Sequence, residues 1–309
     1  MTGDPLIIIL GPTAVGKTAL ALELAEALNT DIISADSRQI YRMMDIGTAK
    51  PTQEQQARVP HHLIDLVNPD ETLSLAQYLW AAQAAVQRQH ELGRPALLVG
   101  GTGQYITAIE EGWNVPQVPP NTALRAELEA YAQQAGAKAL HARLAALDPA
   151  YAARTHPNNV RRVVRALEVC LTTGSTMTAL QQKRPVPYAV LRLGLTLKRD
   201  RLYARADERV LQMVDNGLVE EVKGLLNRGY DPSLPSLSSI GYQEIIAYLR
   251  GDVTLEEAIA RIQFNTHDFI RRQEVWFRGH DYGILWHNME ETSYQTIITT
   301  VTHWLRSIH

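Results

Sequence analysis

The sequence of 309 residues contains one cysteine and no long apolar run. The single thiol, Cys170, excludes an intramolecular disulfide and any zinc site built from cysteines. The longest apolar runs, such as residues 6–10, are too short to span a bilayer, and the first ten residues carry neither a basic segment nor a cleavage site. We therefore expect a soluble, cytoplasmic protein without a membrane partner, and a monomer is the simplest expectation.

The sequence also lacks internal repeats and low-complexity tracts. Apolar residues make up 45% of the chain and charged residues 20%, which is the composition of a globular protein and excludes a disordered, fibrous or collagen-like chain. At this length we expect one large domain or two ordinary ones.

The net charge of the whole chain is small, but charge of one sign is concentrated in parts of it. The formal net charge is −3, yet residues 1–150 carry −6, residues 151–210 carry +8 and residues 211–309 carry −5. A concentrated basic segment fits a nucleic-acid partner, although charge alone favours solvated helix faces.

Strand and helix patterns alternate in the first third of the chain. Short β-branched or apolar runs at 6–10, 32–33 and 96–99 predict buried strands, and helix-forming runs at 18–28 and 72–92 predict helices. This alternation predicts a parallel sheet with helices on both faces.

The pattern changes between two proline-rich stretches at 113–120 and 183–188. The chain between them contains helical patterns and no clear strand. A strand pattern returns at 190–197, followed by helical patterns at 200–216, 218–228, 240–250 and 254–278, a short strand at 284–286 and a helix near 291–306. We predict an α/β core of residues 1–112 and 190–309 that is interrupted by an all-helical insertion domain at 113–189.

Residues 11–18 read GPTAVGKT, the pattern G-x-x-x-x-G-K-[ST] between a predicted strand and a predicted helix. In that context the glycines let backbone N–H groups point inward, and the helix N-terminus adds partial positive charge. We therefore predict a P-loop NTPase-like fold, with a competing interpretation of a glycine-rich turn that contains a lysine by chance. The predicted phosphate-binding residues are Gly11, Pro12, Thr13, Ala14, Val15, Gly16, Lys17 and Thr18, of which Thr18 is the Mg²⁺ ligand.

Two observations disfavour an ATP-dependent kinase or a GTPase. The strand that ends near Val99 is followed by Thr102 between two glycines instead of a magnesium-binding acid, and the sequence has no Asn-Lys-x-Asp pattern for guanine. An acid instead follows the second strand. From the residues alone, Asp36 is a general base, a Mg²⁺ ligand or a turn cap, and Thr102 is a ligand contact or a turn residue.

Several motifs occur together in order: GPTAVGKT (11–18), ISADSRQIYRMMDIGTAKP (33–51), VPHHLID (59–65), LLVGGTGQY (97–105), HPNNVRRVVRALE (156–168), RDRLYARADERV (199–210), SIGYQE (239–244) and RRQEVWFR (271–278). Over nearly the whole chain this set resembles the tRNA dimethylallyltransferase family, also called isopentenyl-tRNA transferases. The absence of a C-terminal Cys/His extension points to the bacterial type.

The resemblance implies that dimethylallyl diphosphate donates its five-carbon group to N6 of the adenosine 3′ of the anticodon in tRNA. The products are N6-dimethylallyladenosine and diphosphate. By similarity Asp36 is the base that accepts the N6 proton. Lys17, Thr18 with Mg²⁺, Thr102 and Arg205 would stabilise the leaving diphosphate.

The resemblance also implies a set of tRNA-contacting residues, which would explain the basic segment. The target base has to leave the stacked loop, and RNA recognition favours such splayed bases. The implied contacts are Asp36, Ser37, Arg38, Gln39, Thr102, Arg125, Arg161, Arg162, Arg165, Gly241, Tyr242, Gln243, Arg271, Arg272 and Gln273. His267 stands where the family commonly has Arg, which implies a weaker or pH-sensitive RNA contact.

Three alternatives to this interpretation stay open on the sequence: an adenylate isopentenyltransferase, a P-loop small-molecule kinase and a non-enzymatic RNA-binding module. Other conspicuous residues have structural interpretations. We predict that His61 and His62 lie in a structural loop, that Cys170 is a packed core thiol, and that Trp276 and Phe277 anchor the core.

Overall fold

The computed structural model describes residues 3–116, 118–181, 183, 185–280 and 283–308. The chain divides into two compact units. The first comprises residues 1–74, 78–109 and 187–309, and the second comprises residues 75–77 and 110–186. These divisions lie beside the boundaries at 113 and 189 that the proline-rich stretches predict. Among the described helices, none combines the length and apolarity needed to cross a membrane.

The first unit is built on a six-stranded sheet in the order β3-β2-β4-β1-β5-β6. Every neighbouring pair of strands is parallel, so the predicted α/β fold with a parallel sheet is confirmed. The strands are β1 (Asp4–Leu10), β2 (Ile32–Ala35), β3 (His61–His62), β4 (Ala96–Gly100), β5 (Tyr188–Thr196) and β6 (Leu285–Asn288).

The central strands are apolar because both faces of the sheet are covered. In β1, residues 6–10 are buried, and Ile7 and Ile9 pair in register with Leu97 and Val99 of β4. Parallel strands buried on both faces have continuous apolar runs, which is why the sequence revealed β1 and β4. The two-residue strand β3 gave no such signal, because it is a short edge strand made of two histidines.

The helices in chain order are α1 (Lys17–Leu28), α2 (Gln53–Arg58), α3 (Leu75–Glu91), α4 (Gly103–Glu110), α5 (Thr122–Ala135), α6 (Ala137–Leu147), α7 (Pro149–Ala153), α8 (Val160–Thr173), α9 (Met177–Leu180), α10 (Arg199–Asp215), α11 (Leu218–Asn227), α12 (Tyr242–Leu249), α13 (Leu255–Gly279) and α14 (Tyr294–Ile308). The predicted helices are present, with ends that differ by a few residues. The short helix α2 was not predicted. It begins at a capping box formed by Thr52 and Gln55.

Two apolar cores lie among the described residues of the first unit. One lies around the sheet and joins α1, α10 and α14, as in the contacts of Leu20, Leu202 and Ile297 with the strands. The other packs α11, α12 and α13 against the segment after β2, through residues such as Met44 and Tyr242. The second core therefore holds the segment after β2 through helix residues and without residues of the strands.

The second unit contains five helices among its described residues, with a core that includes Leu128, Leu140, Leu144 and Leu167. Polar side chains mark where its helices begin. Asn121 accepts a hydrogen bond from the Leu124 N–H at the start of α5. Such caps satisfy the first helical N–H groups, which have no partner within the helix. Cys170 is a free, buried thiol in this unit, as predicted.

One carboxylate joins α5 to α8. Glu168 is fully buried, and its oxygens accept hydrogen bonds from the Arg125 guanidinium at 2.8 Å and 2.8 Å and from Arg165 at 2.5 Å. It also accepts the Asn121 N–H at 2.7 Å. Burial raises the pKa of Glu168, but these hydrogen bonds outweigh burial and hold that pKa below its ordinary value. The charge on Glu168 therefore contributes to stability.

We predict that Glu168→Gln lowers the free energy of unfolding by about 1–3 kcal/mol at pH 7, because two guanidinium groups lose a shared charged acceptor. Urea denaturation beside the exposed control Glu129→Gln measures this. Since the pKa of Glu168 is lowered in the fold, its contribution is present above the ordinary carboxyl pKa and is lost as pH falls below it. The gap between wild type and variant should narrow in acid, and equal stability at pH 7 would contradict the assignment.

Candidate active site

The predicted P-loop connects β1 to α1 and has the backbone that its glycines allow. Gly11 has φ 144° and Gly16 has φ 109°. A Cβ on Gly11 would lie 2.6 Å from the carbonyl oxygen of Leu195, so a side chain does not fit there. Gly16 caps α1 without a side-chain hydrogen bond. The first N–H groups of α1 can therefore bind an anion.

Lys17 folds back over this loop. Its Nζ donates to the carbonyl oxygens of Gly11 at 2.9 Å and Pro12 at 2.7 Å. Burial lowers the pKa of Lys17 to about 7, although the negative charge of Asp36 opposes the effect; Arg209 adds to it. A phosphate group in the loop would supply the negative charge that a buried ammonium lacks.

One pocket brings the P-loop and the acid together. Lys17 and Thr18 line it from the start of α1, and Asp36 and Gln39 line it from the segment after β2. Its remaining walls are Ala21, Ile32, Ser34, Pro51, His61, Val99 and Gly100. These elements meet because the carboxyl ends of parallel strands share one edge of the sheet, where open α/β folds bind ligands.

Thr102 lies beside the turn that carries Asp36. Its Oγ1 accepts the Ser37 N–H at 2.9 Å and donates to Ser37 Oγ at 3.3 Å, and its own N–H donates to the Ala35 carbonyl. Asp36 Oδ1 accepts the Arg38 N–H at 2.8 Å. The loops after β2 and β4 therefore fix each other, and Thr102 supports the turn in addition to any ligand contact.

Gln273 of α13 connects the P-loop to the loop after β4. Its Oε1 accepts the Thr13 N–H at 2.9 Å, and its Nε2 donates to the Gly101 carbonyl at 3.0 Å. Gln273 is only 6% exposed. Both ends of the amide therefore have partners inside the protein, and the predicted contact of Gln273 with tRNA stays a prediction. A Cβ on Gly101 would collide with this amide, which explains the glycine.

Gly241 and Tyr242 are also among the predicted tRNA contacts. Both are buried, and the Tyr242 hydroxyl donates to Glu221 Oε1 at 2.6 Å. Their contact with tRNA stays a prediction, and Tyr242 has a packing role in the protein itself. Gln243 is exposed, and its Nε2 donates to Glu244 at 2.8 Å.

The arginines of α10 differ in their surroundings. Arg205, the predicted diphosphate ligand, is exposed, and Arg201 pairs with Glu290 at 3.4 Å. Arg209 is more enclosed: burial lowers its pKa, Asp36 opposes that effect, and Arg205 adds to it. Arg209 therefore belongs to the charge environment of Asp36. The i, i+4 spacing from Arg205 already places Arg209 on the same helix face in the sequence.

His61 and His62 form strand β3 and do not lie in the predicted loop. Their side chains have different partners. His62 Nε2 bonds Asp31 at 2.8 Å. His61 lines the pocket, bonds the Val59 carbonyl through Nδ1 at 2.8 Å, and has its pKa lowered by burial. The sequence did not mark His61 as a pocket residue.

The remaining predicted RNA contacts lie on both units. Arg38 donates to the Pro235 carbonyl at 3.2 Å. In the second unit Arg161 and Arg162 are exposed, whereas Arg125 and Arg165 share Glu168. These last two guanidinium groups are partly neutralised within the protein.

On α13, Arg271 and Arg272 are exposed, and Arg271 contacts Tyr203 and Asp268. His267, the departure from the family pattern, pairs with Asp207 at 2.8 Å and stacks on the Tyr203 ring with centroids 4.0 Å apart. Farther along the helix Phe277 is buried, as predicted, and Trp276 is half-buried.

A metal ion would need oxygen ligands from the pocket. Within the described part of the chain, no group of three or more His, Cys, Asp or Glu side chains could hold a metal by itself. The pocket does contain the hydroxyl of Thr18 and the carboxylate of Asp36. Mg²⁺ prefers such hard oxygens and commonly takes further ligands from substrate phosphates. The donor set therefore fits a Mg²⁺ ion that arrives with a phosphate ligand.

We predict that Gln273→Ala weakens pyrophosphate binding and lowers the free energy of unfolding by about 1–3 kcal/mol, because it leaves the Thr13 N–H and the Gly101 carbonyl without this partner. Titration calorimetry with magnesium pyrophosphate and urea denaturation measure the two effects. Val275→Ala is the control, since Val275 lies on the same helix and is 73% exposed. Unchanged binding in Gln273→Ala would show that the amide does not shape the loop.

Comparison with known proteins identifies relatives over most of the chain. The family model described as IPP transferase matches residues 39–280. A tRNA dimethylallyltransferase of Chloroflexus aurantiacus is 55% identical over 275 residues, which cover 89% of this chain and 93% of the relative. A second, of Dehalococcoides mccartyi, is 46% identical over 97% of this chain and 93% of the relative.

A solved structure gives the same result for the fold. The full-length tRNA isopentenylpyrophosphate transferase of Bacillus halodurans superposes with a TM-score of 0.72 and 42% identity, covering 99% of this chain and 96% of the other. The family that the motifs indicated is therefore confirmed: the chain belongs to the IPP transferases, together with the curated tRNA dimethylallyltransferases.

Proposed function

We propose that this chain is a prenyltransferase that moves a dimethylallyl group from dimethylallyl diphosphate to N6 of the adenosine 3′ of the anticodon in tRNA. The products are N6-dimethylallyladenosine and diphosphate. One observation carries the proposal: the P-loop residues Lys17 and Thr18 line the same pocket as Asp36 and Gln39, in a chain 55% identical to a tRNA dimethylallyltransferase.

The P-loop side of the pocket suits a diphosphate leaving group. The C1–O bond of the donor breaks, its electron pair stays on diphosphate, and positive charge develops on the allylic carbon. The N-terminus of α1 and the Lys17 ammonium can stabilise the oxygens that gain negative charge. Arg205 and Arg209 add positive charge from α10. This use of the loop explains why the end of β4 carries no acid for ATP.

Asp36 suits the acceptor side. The N6 lone pair of adenine is delocalised into the ring, so the amine needs a base that takes a proton as the new C–N bond forms. Asp36 directly follows β2 and lines the pocket beside Lys17 and Thr18. Its carboxylate is proposed to accept the N6 proton.

Mg²⁺ is proposed as the metal, held by Thr18 together with diphosphate oxygens. When bound there, it would neutralise charge on the leaving group. Lys17 and the loop N–H groups then orient the diphosphate.

The RNA side of the proposal rests on exposed charge. A stacked adenine cannot reach a pocket at the edge of the sheet, so the base has to be flipped out. Arg161 and Arg162 are exposed on α8. In the second unit they are the strongest candidates for contacts with the phosphate backbone of the RNA. Arg125 and Arg165 remain candidates with less free charge, because Glu168 lies between them.

Incorporation of a labelled dimethylallyl group tests the proposal directly. The acceptors are an unmodified anticodon stem-loop, AMP and ATP. The proposal expects Mg²⁺-dependent label in the stem-loop that requires the adenosine 3′ of the anticodon. Label only in a free nucleotide would indicate an adenylate isopentenyltransferase, and ATP turnover without label would indicate a kinase.

We predict that Asp36→Asn slows the chemical step about 10²–10⁴-fold, the range for loss of a general base, and retains pyrophosphate binding. Single-turnover kinetics with saturating donor measure the step. Asp70→Asn, a change at an exposed aspartate, is the control. A single-turnover rate within a few-fold of wild type would remove Asp36 from the role of base.

We predict that the double change Arg161→Gln and Arg162→Gln weakens stem-loop binding and flattens its dependence on salt, because fewer counterions are released. The slope of log K against log salt should fall in magnitude by about 1–2. The double change Arg228→Gln and Arg250→Gln is the control, because it removes the same charge from exposed positions of the first unit. An unchanged slope in the first pair would show that Arg161 and Arg162 do not face RNA.

A further inference from the structure

A carboxylate on α11 holds the loop of residues 45–49, which follows the pocket residues 36–39 in the chain. Glu221 Oε2 accepts the N–H groups of Asp45 at 2.9 Å and Ile46 at 2.8 Å. Its Oε1 accepts the N–H of Gly47 at 3.2 Å. Three successive backbone donors around one anion form a concave anion site of the kind that short loops offer to phosphates. Here the anion is a side chain of the protein itself.

Tyr242 completes this arrangement from α12. Its hydroxyl donates to Glu221 Oε1 at 2.6 Å, so the carboxylate accepts four hydrogen bonds. Its ring lies against Gly47, where a Cβ would be 2.5 Å from the ring. The buried tyrosine therefore orients the carboxylate and presses on the loop at the same point.

The other end of the same loop fixes a pocket side chain. Gln39 Nε2 donates to the carbonyl of Ala49 at 3.1 Å and contacts that of Thr48 at 3.5 Å, and Gln39 Oε1 accepts the Ser34 hydroxyl at 3.2 Å. These partners decide which end of the amide is the donor and which the acceptor. The amide oxygen has a second lone pair, so an amide oriented in this way can accept a hydrogen bond from the amino group of a base.

A separate set of contacts anchors the loop independently of Glu221. Lys50 Nζ bonds Asp45 Oδ1 at 2.5 Å, Asp65 Oδ1 at 2.6 Å and the Tyr41 carbonyl at 2.8 Å. A change at Glu221 should therefore loosen residues 45–47 without releasing the whole segment.

We propose that Glu221 is a positioning residue for the transfer reaction: through the 45–49 loop it sets the orientation of the Gln39 amide in the pocket. The proposal rests on the proposed function for its readout of rate, and it extends that function to a residue that touches neither donor nor acceptor. It also assigns a task to Tyr242 of the SIGYQE motif, which orients the Glu221 carboxylate.

The test is Glu221→Gln, which keeps the shape of the side chain but places an amide NH₂ against backbone N–H donors. We expect the single-turnover rate with a stem-loop to fall roughly ten- to hundredfold, because small misplacements of a contact group are costly, while pyrophosphate affinity stays unchanged. Glu220→Gln is the matched control: Glu220 lies in the same first turn of α11 and is exposed. A rate for Glu221→Gln within twofold of the control would overturn the proposal.

A double-mutant cycle separates positioning from general destabilisation. If Glu221 acts through Gln39, the change Glu221→Gln should have little further effect on the rate in a Gln39→Ala background. Glu220→Gln in that background serves as the control. Additive losses from Glu221→Gln and Gln39→Ala would contradict the proposal, even if each change alone slows the reaction.

Hydrogen exchange tests whether Glu221 holds the 45–49 loop, without reference to activity. The amides of residues 45–47 should exchange faster in Glu221→Gln than in Glu220→Gln, and unchanged exchange would overturn the proposal. If Glu221→Gln does not fold, Tyr242→Phe provides the same tests, because it removes one hydrogen bond on Glu221 and keeps the ring. Absence of transfer by the wild type would refute the proposed function. In that case the exchange result alone would decide whether Glu221 holds the 45–49 loop.

Discussion

The site depends on the two hydrogen bonds of the Gln273 amide. This amide accepts the Thr13 N–H of the P-loop and donates to the Gly101 carbonyl of the loop after β4. Thr102, next to that carbonyl, bonds Ser37 and thereby the turn that carries Asp36. A single buried side chain of α13 thus links the phosphate loop to the acid through short hydrogen bonds. Gly101 follows from the same constraint, since a Cβ there would collide with the Gln273 amide.

The parts of the fold that sequence revealed are those with strong local signals. The apolar runs of β1 and β4 and the glycine pattern of the P-loop follow from backbone geometry and burial within a few residues. Asp36 could be placed at the edge of the sheet because it follows β2 directly. The two-residue strand β3 and the short helix α2 gave weak signals, since neither has an apolar run of its own.

The parts that sequence could not reveal depend on how helices rotate against their neighbours. Gln273 follows two exposed arginines and Tyr242 precedes an exposed glutamine, yet packing turns both side chains inward. Arg165 looked like a free cation until Glu168, three residues later, proved to be its partner. Glu221 carried no motif at all. Its importance comes from a loop about 175 residues earlier in the chain, with which it shares three hydrogen bonds.

In this enzyme the P-loop is assigned to a leaving group that departs from carbon. A P-loop is more often associated with transfer of phosphorus, and the two reactions break different bonds. The direct measurement uses dimethylallyl diphosphate with ¹⁸O in the oxygen that joins C1 to phosphorus, followed by mass analysis of the products with an anticodon stem-loop as acceptor. We expect diphosphate to retain all of the ¹⁸O, because the C1–O bond breaks. Recovery of the isotope in dimethylallyl alcohol, with none in diphosphate, would mean that a P–O bond breaks and would contradict this assignment.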